Sequence, residues 1–200
     1  MAKEIEIKFR IGDLSRITGL LEQAGFEPIT PPTHEMNLLY DLPGQKLRQR
    51  GDMLRLRKYG EIWLLTHKAK AKAGRHKARV ELETRLADGK QMDAILRALG
   101  FAPTFRYEKY RAEWSDGRGH VVLDETPIGN FGEIEGPSRW IDRTARALGI
   151  PASNYITQTY ALLFFDWKRR TRSKAAEMTF RAVGKRLSRR AGKKINKMNG

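Results

Sequence analysis

Charged side chains recur at every second position in one segment after another of this 200-residue chain. A strand patterned in that way has one charged face and one apolar face, because successive side chains point to opposite sides of the backbone. Glu4, Glu6 and Lys8 alternate with Ile5, Ile7 and Phe9. The pattern returns in Arg55 and Arg57 between Leu54 and Leu56, in Lys68, and in Arg79, Glu81 and Glu83 around Val80 and Leu82. It returns again in Lys109 and Arg111, in Asp124 beside Leu123, and in Glu133 and Glu135 around Ile134.

Two arrangements satisfy such a pattern. A half-exposed antiparallel sheet packs its apolar face on helices and turns its charges to water. The alternative closes the strands into a barrel with the charged face inward and helices covering the apolar outside. Same-sign pairs such as Glu4/Glu6, Arg55/Arg57 and Glu133/Glu135 favour the second, since like charges about 7 Å apart on one face repel unless a counter-charge stands between them. Ser, Thr, Asn and Gln, the ordinary surface residues, are also scarce on these faces.

The rest of the chain supplies helices between strands. Asp13 is expected to cap a helix through Ile17 and Leu21 that ends at Gly25, and Asp88 one through Ile95 and Leu99 that ends at Gly100. Residues 30–33, with two prolines, read as a loop. Strands are expected near 36–42, 52–59, 62–70, 78–86, 104–114, 120–125 and 132–136, with Gly60-Glu61 as a hairpin connection and 70–77 as a basic loop. Ser138 opens a helix to about Leu148, and Ser153 is expected to cap a last one through Phe164, Phe165 and Trp167. The class is α+β, with about eight strands in a barrel or strongly curved sheet; the paired charges favour a closed antiparallel eight-stranded β-barrel with helices packed outside.

An eight-stranded barrel has room for one small ligand. Carboxylates gathered in it suit Mg²⁺ or Mn²⁺, hard cations that take oxygen ligands, and arginines and lysines suit phosphate oxygens. A ligand that needs both is a polyphosphate chelated to metal.

These motifs resemble the CYTH superfamily, the triphosphate tunnel metalloenzymes. Glu4-Ile-Glu-Ile-Lys8 is similar to its amino-terminal signature. Leu54-Arg-Leu-Arg57, Leu65-Thr-His-Lys68, Arg79-Val-Glu-Leu-Glu83, Lys109-Tyr-Arg111, Val122-Leu-Asp124 and Gly132-Glu-Ile-Glu135 follow in the family's order. The resemblance covers residues 2–167 and implies roles. Glu4, Glu6, Asp124, Glu133 and Glu135 correspond to metal-binding carboxylates. Lys8, Arg55, Arg57, Lys68, Arg79, Lys109 and Arg111 correspond to triphosphate-binding cations, with Lys8 also a candidate to activate the attacking oxygen. Glu81 and Glu83 are a further acidic pair, divided between holding metal and balancing cations. Tyr40 sits where relatives carry an aromatic residue near the reacting phosphate, which makes it a second catalytic candidate; a buried strand aromatic is the alternative.

Phosphoryl transfer asks a protein mainly to position the chain, neutralise its oxygens and aim a nucleophile. The resemblance implies hydrolysis of inorganic, thiamine or nucleoside triphosphate, or cyclisation of ATP to cyclic AMP and pyrophosphate as in class IV adenylate cyclases. Hydrolysis ranks first because a cyclase also needs a base and ribose pocket, which the sequence does not reveal. A polyphosphate-binding module without turnover is a third possibility, disfavoured by the completeness of both charged sets.

The net charge of +16 suggests nucleic acid until its distribution is read. Residues 168–200 carry 13 Lys and Arg against the single acid Glu177, so the tail holds most of the excess. The division expected is a tunnel domain over 1–167 and a basic tail over 168–200, helical or disordered. Phe180, Val183, Leu187, Ala191 and Ile195 keep helical spacing there, which suits contact with anionic lipid, nucleic acid or polyphosphate. Removal of residues 170–200 is expected to leave turnover nearly intact. Cysteine is absent, so thiolate metal sites and disulfides are excluded, and no run reaches the ~18 apolar residues of a membrane span. The expectation is a soluble cytoplasmic protein. No HExxH, GxSxG or Walker spacing occurs among its residues.

Overall fold

The computed structural model describes residues 2–72 and 74–184. Eight strands close into a barrel in the order β1-β5-β4-β3-β2-β6-β7-β8, with every neighbouring pair antiparallel. They are β1 (Ala2–Ile11), β2 (Glu27–Asp41), β3 (Met53–Tyr59), β4 (Ile62–Lys68), β5 (Lys77–Leu86), β6 (Ala102–Ser115), β7 (His120–Thr126) and β8 (Gly129–Glu135). Six helices stand among the described residues: α1 (Leu14–Gln23), α2 (Lys46–Arg50), α3 (Gly89–Ala98), α4 (Ser138–Ala147), α5 (Tyr160–Thr171) and α6 (Phe180–Val183). None of them is long and apolar enough to cross a membrane.

The charged face is the inner one. Ile7 and Phe9 of β1, with Val121, Leu123 and Ile134, point outward and pack under α1 and α4 through Ile17, Leu21, Trp140 and Ile141. Leu56 and Tyr40 pack under Leu96 of α3. Gly132 is required by this packing, because a Cβ there would lie 2.1 Å from the Phe9 ring. Asp13 and Asp88 cap α1 and α3 through backbone N–H groups, as their sequence positions suggest.

Two local expectations fail. Residues 30–33 lie inside β2, where the pairing with β6 slips between Pro28 and Thr30 and again between Thr30 and Thr33. Those irregularities let Pro31 and Pro32 sit in a strand without owing it N–H donors. Ser153 does not open the last helix; it lies in a 3₁₀ turn (Ala152–Asn154), and Thr159 caps α5 by accepting from Leu162 N–H. The intervening chain stays extended because Ile156 forms an antiparallel bridge to Lys8, N–H to carbonyl in both directions at 3.1 and 2.7 Å.

That bridge belongs to a wider feature. β1 pairs with β5 only as far as Glu6, and β6 pairs with β7 only from Tyr110 onward. The chain around α5 completes both free edges: Ile156 joins β1, and Met178 exchanges hydrogen bonds with Arg106 and Glu108 of β6 at 3.1 Å each. Met178 is fully buried with Tyr107, Phe131, Tyr160 and Phe164. Residues 167 and 168 both lie within α5, and beyond it Ala175, Met178 and Val183 pack in the same cluster. Of the apolar set expected on a tail helix, Phe180 and Val183 lie in α6; Leu187, Ala191 and Ile195 lie outside the described residues.

Candidate active site

The barrel encloses a cavity of about 620 Å³ lined by Glu4, Glu6, Lys8, Arg55, Arg57, Lys68, Lys77, Arg79, Glu81, Glu83, Lys109, Arg111, Glu133 and Glu135, with Met53, Leu82, Tyr107, Thr159 and Tyr160. Strand register explains the gathering: alternate residues of neighbouring strands face the same lumen, and the ladders set Glu4 beside Arg79, Glu6 beside Glu135, Lys8 beside Glu133, and Arg111 beside Asp124.

The acidic region is formed by Glu4, Glu6 and Glu135. Glu4 accepts from Lys68 Nζ at 2.5 Å and Arg79 Nε at 3.0 Å. Against the cost of burial, these two cations hold its carboxyl down at about 2. Glu6 accepts from Lys77 Nζ at 2.7 Å. Glu135 has no ion pair among the described residues, and burial together with the charges of Glu4 and Glu6 pushes its carboxyl up to about 7.

A second region centres on Asp124. It is wholly buried and accepts from Arg111 Nε and Nη2, from Lys109 Nζ, all at 2.8 Å, and from the Tyr160 hydroxyl at 2.6 Å. Glu133 pairs with Lys8 and Arg111, which hold its carboxyl well below the usual range despite burial. Tyr160 reaches in from α5, its ring centroid 4.5 Å from Lys8 Nζ and 4.8 Å from Lys109 Nζ.

The third region is basic. Arg55 and Arg57 of β3 are buried, and the Nε–H of each has no acceptor. Arg55 donates to Thr66 Oγ1 at 3.3 Å and stands 3.7 Å from Glu83. Fully buried Glu35 lies 3.6 Å from Arg57 and 3.5 Å from Lys109, and these cations with Arg111 keep it ionised, its Oε2 still lacking a donor. A guanidinium donor buried without an acceptor costs free energy unless a ligand completes it.

The expected tunnel residues are thus brought together, with three changes of place. Asp124 and Glu133 are paired with cations of the second region rather than standing with Glu4, Glu6 and Glu135: both accept from Arg111, Asp124 also from Lys109 and Tyr160, and Glu133 from Lys8. Tyr40 points out of the tunnel, into the apolar layer under α3, where its hydroxyl donates to Asp93. The reason is alternation itself: Tyr40 shares the parity of Met36 and Leu38, opposite to that of the inward Glu35 and Asn37, and pairs with outward Leu54 of β3. Four site residues went unread: Glu35, Lys77, Tyr107 and Tyr160. Glu35 alternates with Met36, Asn37 and Leu38, and Lys77 stands two positions before Arg79, so period two carries the signal for both.

Hard carboxylate oxygens of Glu4, Glu6 and Glu135 suit a divalent cation, which would relieve both the burial of Glu135 and its repulsion by Glu4 and Glu6. In the present arrangement no three acidic or imidazole groups among the described residues converge on one point, because Lys68, Arg79 and Lys77 draw the carboxylates to themselves.

Comparison with known proteins adds the lineage. An adenylate cyclase, provisionally so named, from Methanocaldococcus jannaschii is 26% identical over 168 residues, covering 78% of this chain and 95% of that protein. Among solved structures, a provisionally named adenylate cyclase from Vibrio parahaemolyticus superposes with a TM-score of 0.70 at 22% identity, covering 81% of this chain and 97% of that one. A Hippeastrum protein described as having a dominant triphosphatase activity superposes with a TM-score of 0.59 at 20% identity, covering 82% and 95%. These two likenesses carry the fold. The CYTH domain model matches residues 2–160, four-fifths of the length, and the chain belongs to the CYTH domain family.

Proposed function

We propose that the tunnel is the active site of a metal-dependent hydrolase acting on a triphosphate. The observation that carries the reading is the pair of buried guanidinium groups, Arg55 and Arg57, each with an Nε–H that no protein acceptor completes at hydrogen-bond distance, inside a lumen that also holds Lys8, Lys109 and Arg111. Donors of this kind are complementary to phosphate oxygens. The family as a whole acts on triphosphates and depends on metal, and one structural neighbour is described as a triphosphatase.

In this reading Arg55, Arg57, Lys109 and Arg111 bind and orient the phosphate chain, and Glu35 and Asp124 hold those cations in place from behind. Mg²⁺ or Mn²⁺ held by Glu4, Glu6 and Glu135 supplies charge stabilisation at the transferred phosphoryl group. Lys8 lies between the acidic and basic regions, where it neutralises charge on the attacked phosphate. Tyr160 and the side chains around it close the lumen against bulk water on the α5 side.

A second reading, cyclisation of ATP, is favoured by one observation. A more apolar cavity of about 530 Å³ adjoins the tunnel and shares Met53, Arg79 and Thr159 with it; Leu39, Phe105, Leu162 and Phe165 form its apolar wall. An organic group attached to a tunnel-bound triphosphate has room there. The test of both readings is incubation with Mg²⁺ or Mn²⁺ and inorganic triphosphate, thiamine triphosphate or ATP, with separation of orthophosphate from pyrophosphate and cyclic AMP. Orthophosphate as the main product supports the hydrolase; cyclic AMP with pyrophosphate replaces it by the cyclase; tight triphosphate binding with no product replaces both by a binding module.

A further inference from the structure

Lys77 opens β5 directly opposite Glu6, and on the other side of Glu6, across the β1–β8 ladder, stands Glu135. One cation and two acids therefore lie side by side on the tunnel wall. The Lys77 ammonium is buried, 2.7 Å from Glu6 Oε1, and among the described residues each is the other's one ion-pair partner. Lys68 and Lys109 are held differently: the first is anchored between Glu4 and Glu81, the second between Asp124 and Glu35. Arg79, two positions along the same face, and Lys8 both repel Lys77, and burial disfavours its charge further.

We propose that Lys77 is a tethered competitor for the divalent cation at Glu6, a built-in counter-ion that keeps the metal weakly held until a triphosphate arrives. The inference rests on the reading of Glu4, Glu6 and Glu135 as the metal's donors. A divalent ion drawn to Glu6 and Glu135 meets an ammonium already on one oxygen of Glu6. At an effective dielectric of about 20 the repulsion between the two cations over a few ångströms is several times thermal energy. The ion must displace Lys77 or bind against it. The four-carbon stem of lysine allows displacement, and a phosphate chain in the lumen offers the ammonium a new acceptor. Metal and triphosphate thereby assist each other's binding, and the metal is released readily once the product has gone.

The test is Mn²⁺ binding to the full-length protein without substrate, followed by electron paramagnetic resonance of the free ion and by calorimetry. Lys77→Met, which keeps the length of the side chain and removes the charge, is expected to bind Mn²⁺ at least about tenfold more tightly than wild type. Lys77→Arg, which keeps the charge, is expected to stay within about threefold of wild type. Circular dichroism establishes that each variant is folded, and Lys77→Gln replaces Lys77→Met if the latter is not. A wild type that binds Mn²⁺ with a neutral variant that binds it no tighter, or more weakly, overturns the competitor role alone. Absence of Mn²⁺ binding to wild type and neutral variant alike overturns both that role and the metal-donor reading beneath it.

Discussion

Arg111 grips both carboxylate oxygens of Asp124, its partner across the β6–β7 ladder, with Nε to Oδ1 and Nη2 to Oδ2 each at 2.8 Å. Bidentate pairs of this kind fix orientation as well as charge. Because Lys109 and Tyr160 donate to the same carboxylate, Asp124 sets the direction of several side chains at once.

Asp124→Asn should therefore be costly out of proportion to its size. It removes one partner from a buried charge network and turns amide hydrogens toward two cations. A loss of roughly 3 kcal/mol or more in urea unfolding is expected, together with a raised KM for triphosphate, since Arg111 and Lys109 lose their aim.

Glu135 makes stability depend on pH in a stated direction. Its folded carboxyl titrates at about 7, above the ordinary 4.5. Between those values the folded state keeps a proton that the unfolded state releases, so stability falls as pH rises through this window, by something on the order of 2 kcal/mol. In metal-free protein, Glu135→Gln should flatten that slope in urea titrations taken from pH 4.5 to pH 7.5. A slope unchanged by the substitution would assign it to other groups.

Tyr40→Phe should leave triphosphate turnover within about twofold of wild type, because the ring packs outside the tunnel and only its hydrogen bond to Asp93 is lost. The expected cost is about 1 kcal/mol in unfolding free energy. A drop in kcat of tenfold or more with normal stability would return Tyr40 to the reacting centre.

Met178→Ala should destabilise the protein by roughly 2–4 kcal/mol, as truncation of a fully buried side chain does. A chain ending at 169 should lose stability and turnover together. The last outcome replaces the expectation from sequence that residues 170–200 are dispensable, since the segment includes Met178 and its hydrogen bonds to β6.

Most of the inward set was legible because period two survives in a closed barrel: Glu4, Glu6, Lys8, Arg55, Arg57, Lys68, Arg79, Lys109, Arg111, Glu133 and Glu135 all line the lumen. Where the period was not followed, the reading misled. Tyr40 shares the parity of outward Leu38 and faces the apolar layer under α3, and the basic composition of 70–77 made Lys77 read as the end of a loop when it is the first residue of β5. Tyr160 carried no signal, since nothing local says that a helix residue will be delivered into a barrel by the bridge between Ile156 and Lys8.

The sequence by itself determined which side chains share a face, because alternation is a property of the extended backbone, and through the order of its motifs it determined the family. Only the tertiary structure decided which charges neutralise one another. Asp124 and Glu135 look alike in sequence, each a carboxylate on an inward face. Closure of the barrel surrounds the first with Arg111, Lys109 and Tyr160 and sets the second beside Glu4 and Glu6. The physical reason is range: side-chain direction is set within two residues, whereas the charge a carboxylate meets depends on which distant strands the barrel brings to it.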